Sequence, residues 1–249
     1  MIVRRHTSAL RTLVLGVAIG LLVVAPAFGD SGGTNDEYPY SVEHAGISDA
    51  TYWPPDAGIQ YNGWKIYLSP AHHWGGYNYG CSTYIEDTAM VQAADEAAHG
   101  AGWDLRARGY YVRVGAADPD ENVTRSNGWG SGSKRRHIAI HSNANPDSGG
   151  CTSSPDDTGT KAFYWSSSGK ALAKSLLEKV GPASPGGEST TQADDLKKRN
   201  WHELTATSMV AAYLEAEFHD WSAGKNWLWA EQNWAWRIGW AVDTNLGYP

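Results

Sequence analysis

The sequence predicts an α/β fold: a single domain built on a twisted, mostly parallel sheet with helices on both faces. Three observations carry that expectation. Apolar runs of strand length alternate with amphipathic runs of helix length along most of the chain. Glycine and proline clusters punctuate the boundaries between them. Three of the short apolar runs lead into residues able to bind or use a metal, Ile66 to Leu68 before His72, Ile138 to Ile140 before His141, and Val210 to Leu214 before Glu215. In open α/β sheets, sites form beyond the carboxyl ends of the strands, where residues distant in sequence converge. With Glu86, these positions would place two imidazoles and two carboxylates on one rim.

The first 29 residues stand apart from the fold. Arg4, Arg5 and Arg11 precede an apolar stretch from Leu13 to Val24, and Ala25, Ala27 and Gly29 are small residues suited to cleavage. That pattern predicts a secretory signal over residues 1–29, with an apolar run too short for a comfortable membrane span. The Arg4-Arg5 pair alone is a weak hint of twin-arginine export. The rest is long enough for one domain with a substantial core. Residues 30–63 read as an extended lead-in, rich in Gly, Ser, Pro, Tyr and Asp, and residues 64–249 as the catalytic domain.

Within that domain the elements follow in order. Trp64 to Ser69 is a predicted strand, followed by a Gly- and Tyr-rich loop. A helix is expected from about Tyr84 to His99, stopped by Gly100 and Gly102. Asp104 to Val114 reads as an extended pair or one long strand. Asp118 to Ser133 is polar and glycine-rich, hence mostly loop with at most one short helix. His137 to His141 and Lys161 to Trp165 are strands. Gly169 to Val180 is amphipathic, with Leu172, Leu176 and Val180 on one face. Ala183 to Gln192 is a surface loop, Met209 to Ala216 the last strand, and Ala223 to Asp243 a long C-terminal helix.

Charge narrows the partners. The chain carries 20 Lys+Arg against 27 Asp+Glu, a formal net charge of −7 that loss of three signal arginines makes more negative. That balance excludes nucleic acid as an expected partner. A like-signed field also slows approach to an anionic surface, so binding to one must rest on local contacts. Only Cys81 and Cys151 are present. In an exported chain they predict one disulfide, closing a loop of about 70 residues worth roughly 4 kcal/mol in the chain-entropy model.

Each chemistry-bearing residue has a plainer alternative. Thr83-Tyr84-Ile85-Glu86 fits a capping box, yet Glu86 also lies on the helical stripe of Ala89, Met90, Ala93, Ala94 and Ala97, where a carboxylate needs a cation. His137 and His141 project to the same side of their strand. His137 reads as a hydrogen-bonded core residue, and His141, followed by Ser142-Asn143-Ala144-Asn145, as a ligand. His72 and His73 are adjacent, and spacing does not choose between them. Glu215 and Glu217 share a face, either as solvated acids at a strand end or with one of them acting as a general base.

Taken together, Ile-Tyr-Leu-Ser-Pro-Ala-His72, Glu86 fourteen residues on, Ile-Ala-Ile-His141-Ser-Asn-Ala and Tyr-Leu-Glu215-Ala-Glu-Phe218 resemble, in order, the motifs of the zinc-dependent N-acetylmuramoyl-L-alanine amidases of the type-3 family. The resemblance spans roughly Trp64 to Pro249. It implies one Zn2+ held by His72, Glu86 and His141, with Glu215 as the catalytic glutamate, and it takes His72 rather than His73. The implied activity is hydrolysis of the amide between the lactyl group of N-acetylmuramic acid and the L-alanine of the stem peptide. Peptidoglycan is then the partner, for a monomeric enzyme secreted to the extracellular space or cell wall. The segment Trp201 to Thr207 looks like the family's lead-in to the last strand. Ser69, Ala71 and His73 depart from the family's usual residues around the first histidine, and Glu217 stands where glycine is common. Two other readings remain: a catalytically silent wall-binding protein of amidase-like fold, and another zinc peptidase, for which the separation of His72 from Glu86 is too long.

Thirteen tryptophans also need placing. On a continuous last helix, Trp227, Ala230, Trp234, Ile238 and Ala241 form one stripe, read as core. Trp229, Trp236 and Trp240 form a second, either a wide buried face or an aromatic surface.

Overall fold

Strands form in this chain where apolar side chains can be buried on both faces, and the capped, punctuated stretches between them become helices and turns. The computed structural model describes residues 51–71, 85–100, 102–115, 118–145, 151, 157–187 and 194–248. The expected signal segment, His72, Cys81 and the side chain of Glu86 lie outside the described residues. The strands are β1 (Thr51–Trp53), β2 (Lys65–Pro70), β3 (Tyr111–Val114), β4 (Gly132–Asn143), β5 (Lys161–Tyr164), β6 (Leu196–Lys198) and β7 (Met209–Phe218). The helices are α1 (Met90–His99), entered through a π-helical turn at Ile85–Ala89, α2 (Pro119–Trp129), α3 (Ser167–Val180), α4 (His202–Thr205), α5 (Ser222–Leu228) and α6 (Trp236–Leu246).

Among the described residues there is one seven-stranded sheet, ordered β1-β3-β2-β4-β7-β5-β6. The four central strands β3, β2, β4 and β7 are parallel, and β5 pairs antiparallel with β7. Strand β1 lies within the expected lead-in and pairs antiparallel with β3.

The two faces of the sheet are covered differently. One face carries Ile66, Leu68, Ile138, Ile140, Ala212 and Leu214 against α1 and α3, with α6 packed on those two helices, and all of these side chains are fully buried. The predicted stripes hold: Ala89 at the end of the π-helical turn, Met90, Ala93, Ala94 and Ala97 on α1, and Leu172, Leu176 and Val180 on α3, are fully buried. The opposite face, with Tyr67, Ala211 and Phe163, is covered by α2 and α4 through Trp129 and Leu204.

Three expectations need correction. The Asp118–Ser133 segment is not mostly loop, because α2 spans eleven residues. Its start is fixed by Asp118, whose side chain accepts from Glu121 N at 3.0 Å, with Pro119 in the first turn. Its inner face is partly polar, which hides it from an apolar-period search: buried Asn122 accepts from the Tyr67 hydroxyl at 3.1 Å. Asp104–Val114 is not an extended pair. Asp104 Oδ1 accepts from Arg106 N at 2.7 Å and folds the first half into a turn, and Gly109 at φ +86° closes it, so that the strand begins at Tyr111. The short strand β6 and helix α4 arise in a stretch with no clear period.

The C-terminal helix is not continuous. It breaks after α5, where Ala230 takes φ −98°, ψ 48°, and a 3-10 turn at Glu231–Asn233 precedes α6. The break lets the chain double back so that Trp227 stacks on fully buried Trp234, with ring centroids 4.7 Å apart. A single straight helix cannot bring those two rings face to face, and burial of the second outweighs continuity of the backbone ladder.

Candidate functional site

The carboxyl edge of the parallel strands gathers the candidate residues. In the register of the sheet, His141 on β4 lies opposite Glu215 on β7, and Lys161 on antiparallel β5 lies opposite Glu215 from the other side. Pairing of β2 with β4 continues past Pro70, since Ala71 N donates to Ile140 O at 2.8 Å. The π-helical turn carrying Glu86 packs against β4 and α5. Among the described residues, the paired strands thus bring His141 and Glu215 together, and the turn that carries Glu86 lies against the same strand as His141. The His72 side chain and that of Glu86 lie outside the described residues, and among the described residues no group of three or more His, Cys, Asp or Glu is gathered as a metal would require.

Glu215 is 8% exposed and accepts from Asn143 Nδ2. Asn143 belongs to the polar segment after His141 that the sequence marks as a site loop. That loop is latched to the end of β7. His219 N donates to Asn143 O at 2.7 Å, Ser142 Oγ hydrogen-bonds with His219 Nδ1 at 2.8 Å, and Asn145 donates to Asp220 Oδ2 from its backbone N and its Nδ2. A register shift between His141 and Asn143 marks where the strand turns out into the loop.

Glu217 is separated from Glu215 by its surroundings. It is fully buried, and its carboxylate accepts from Gly159 N at 2.7 Å, Phe218 N at 2.8 Å, Gly186 N at 3.0 Å and the Ser184 hydroxyl. These donors occupy its lone pairs and tie two loops to β7. Gly159 sits at φ +93°, and a Cβ there would lie 2.5 Å from Gly187 O, so the loops meet only because glycine is present. Neither acid is a solvated strand-end residue, which corrects that alternative.

Glu203, on α4, is a site-edge residue that the sequence did not single out. It is 3% exposed. Its Oε1 accepts from Ser69 Oγ at 2.5 Å and from His137 Nε2 at 3.2 Å, and its Oε2 accepts from His141 Nε2 at 3.0 Å. His137 Nδ1 is hydrogen-bonded with Ser126 Oγ at 3.0 Å, which supports its reading as a core histidine. Burial alone would push the Glu203 carboxyl up, but the hydrogen bonds and charge of the two imidazoles hold it down at about 2. Tyr213 stacks on His141, with centroids 4.2 Å apart, and Trp201 packs edge-on against Tyr213 at 4.7 Å. The sequence signal for Glu203 was its place in Trp201 to Thr207, the segment that resembles the family's lead-in to the last strand, which named no role for the acid itself.

Cys151 does not stand as a free thiol, while Cys81 lies outside the described residues.

No protein-family model and no curated protein matches the chain. Several solved structures do match its fold. The chain is similar to the N-acetylmuramyl-L-alanine amidase Ami1 from Mycobacterium smegmatis, with a TM-score of 0.57 and 15% identity over 76% of this chain and 99% of that one. It is similar to the catalytic domain of CwlV, an N-acetylmuramoyl-L-alanine amidase from Bacillus (Paenibacillus) polymyxa var. colistinus, with a TM-score of 0.54 and 16% identity over 75% and 99% of the two chains. The amidase AmiC2 of Nostoc punctiforme matches with a TM-score of 0.53 and 14% identity over 75% and 96%. At these identities the shared property is the architecture: the chain has the α/β fold of N-acetylmuramoyl-L-alanine amidase catalytic domains.

Proposed function

We propose that the chain is a zinc-dependent N-acetylmuramoyl-L-alanine amidase, exported after loss of residues 1–29, that cleaves the amide joining muramic acid to the L-alanine of the peptidoglycan stem peptide. The observation that carries this reading is the meeting of His141 and Glu215 on paired strands, at the carboxyl edge of a sheet whose fold is that of such amidases.

His72, Glu86 and His141 would hold one Zn2+. The set fits the metal in its chemistry, since two imidazoles and a carboxylate are zinc donors, and among the described residues the turn that carries Glu86 packs against β4, the strand of His141. Bound there, zinc would lower the pKa of a water to about 7 and polarise the amide carbonyl. Glu215 takes the proton of the attacking water and returns it to the departing amine. Asn143 fixes the orientation of its carboxylate, and the low exposure of Glu215 limits competing solvent. A Cys81–Cys151 disulfide would tie the segment after His72 to that after His141. No helix among the described residues is long and apolar enough to cross a membrane, and the enzyme is proposed to act as a monomer on the cell wall.

Mass spectrometry of wall digests tests the bond specificity. Intact stem peptides with a free L-alanine amine are expected, whereas trimmed peptides or cut glycan would refute the reading. Glu215→Gln should abolish release while zinc stays bound, and unimpaired release would remove Glu215 from the mechanism. Zinc binding with no release by the unaltered protein would instead support a silent wall-binding role.

A further inference from the structure

We infer that Glu203 is the positioning residue for His141, holding Nε2 of that imidazole and thereby assigning the metal to Nδ1. The inference rests on the zinc site proposed above and adds a residue to it. A carboxylate that is 3% exposed is costly unless its charge is met, and here it is met by Ser69, His137 and His141. The arrangement is directional. Ser69 and His137 both donate to Oε1, and Ser126 fixes His137 from behind, which leaves Oε2 for His141. Tyr213, stacked at 4.2 Å with an interplanar angle of 21°, restrains rotation of the His141 ring.

A metal-bound imidazole commonly donates its second N–H to a carboxylate, which fixes the tautomer and strengthens the ring as a ligand. Glu203 stands in that relation to His141, and its helix α4 is only four residues long, packed on α2 and β7. Such a short helix contributes little apolar surface. What it delivers to this face of the sheet is Leu204, into the aromatic cluster, and Glu203, into the histidine pair.

The test compares the zinc affinity of the full mature chain with that of Glu203→Gln, Glu217→Gln and His141→Ala, by competition with a chromophoric chelator. Circular dichroism confirms folding of each variant. Glutamine keeps the shape of Glu203 and removes its charge, so affinity is expected to fall by about 10- to 100-fold. Glu217→Gln, an equally buried acid outside the metal edge, should keep wild-type affinity even if it unfolds more easily. A folded Glu203→Gln protein within about twofold of wild type, with binding lost in His141→Ala, would overturn the role of Glu203 and leave the zinc site standing. Wild-type affinity in His141→Ala would overturn both. Should Glu203→Gln fail to fold, histidine-labelled wild-type protein decides by NMR. A proton on His141 Nε2 with zinc on Nδ1 is expected, and zinc on Nε2 overturns the inference.

Discussion

Two glutamates, two residues apart on one strand face, have opposite fates. Glu215 reaches the carboxyl edge beside His141, whereas Glu217 is enclosed by three backbone amides and a hydroxyl. Their alternation was legible in the sequence, and the resemblance singled out Glu215, but the enclosure of Glu217 was not legible, because it depends on Gly159, Ser184 and Gly186 arriving from other parts of the chain. Replacing Glu217 with Ala strands those buried donors, each costing about 1–3 kcal/mol, so urea unfolding should show a loss of at least about 3 kcal/mol. Zinc content should be unchanged. Gly159→Ala should destabilise the same junction, since φ of +93° and the nearby Gly187 carbonyl both oppose a Cβ, and a midpoint equal to wild type would contradict the tie.

Elements were legible where burial is continuous or strictly periodic, as in β2, β4, β7, α1 and α3. They were illegible where polar groups do the ordering. Helix α2 begins because Asp118 caps it, and Asp118→Ala is expected to cost about 1 kcal/mol by chemical denaturation. The C-terminal region shows the reverse failure. Its sequence reads as one amphipathic helix, yet the chain breaks it to stack Trp227 on Trp234. Trp234 is fully buried, so Trp234→Ala should cost about 3–5 kcal/mol, and Trp234→Phe distinctly less. Equal losses for the two would mean that the ring is not filling core. Trp229, exposed at 37%, lies outside that packing, so the expected second stripe of Trp229, Trp236 and Trp240 does not form one wide buried face.

For the molecule as a whole, net charge sets the manner of approach to substrate. The chain is acidic, and an anionic wall, the proposed substrate, would repel it at long range. Raising salt from about 50 mM to about 300 mM should therefore leave wall digestion unchanged or faster, because screening removes repulsion rather than attraction. A steep fall with salt would reveal a basic contact surface. Reduction of the proposed Cys81–Cys151 disulfide should lower stability by up to about 4 kcal/mol, read from unfolding with and without reductant.

The sequence by itself determined the α/β class and offered His141 and Glu215 as strand-end candidates, because strand periodicity and strand-end position are local properties, while the choice of His72 and Glu86 came from the family resemblance. Tertiary structure alone decided that Glu217 is enclosed by donors from two loops, that α5 and α6 part company, and that Glu203 reaches His141 from a distance of sixty-two residues in sequence. Each of those outcomes depends on buried polar or aromatic groups finding partners elsewhere in the chain, and no window of neighbouring residues contains the partner.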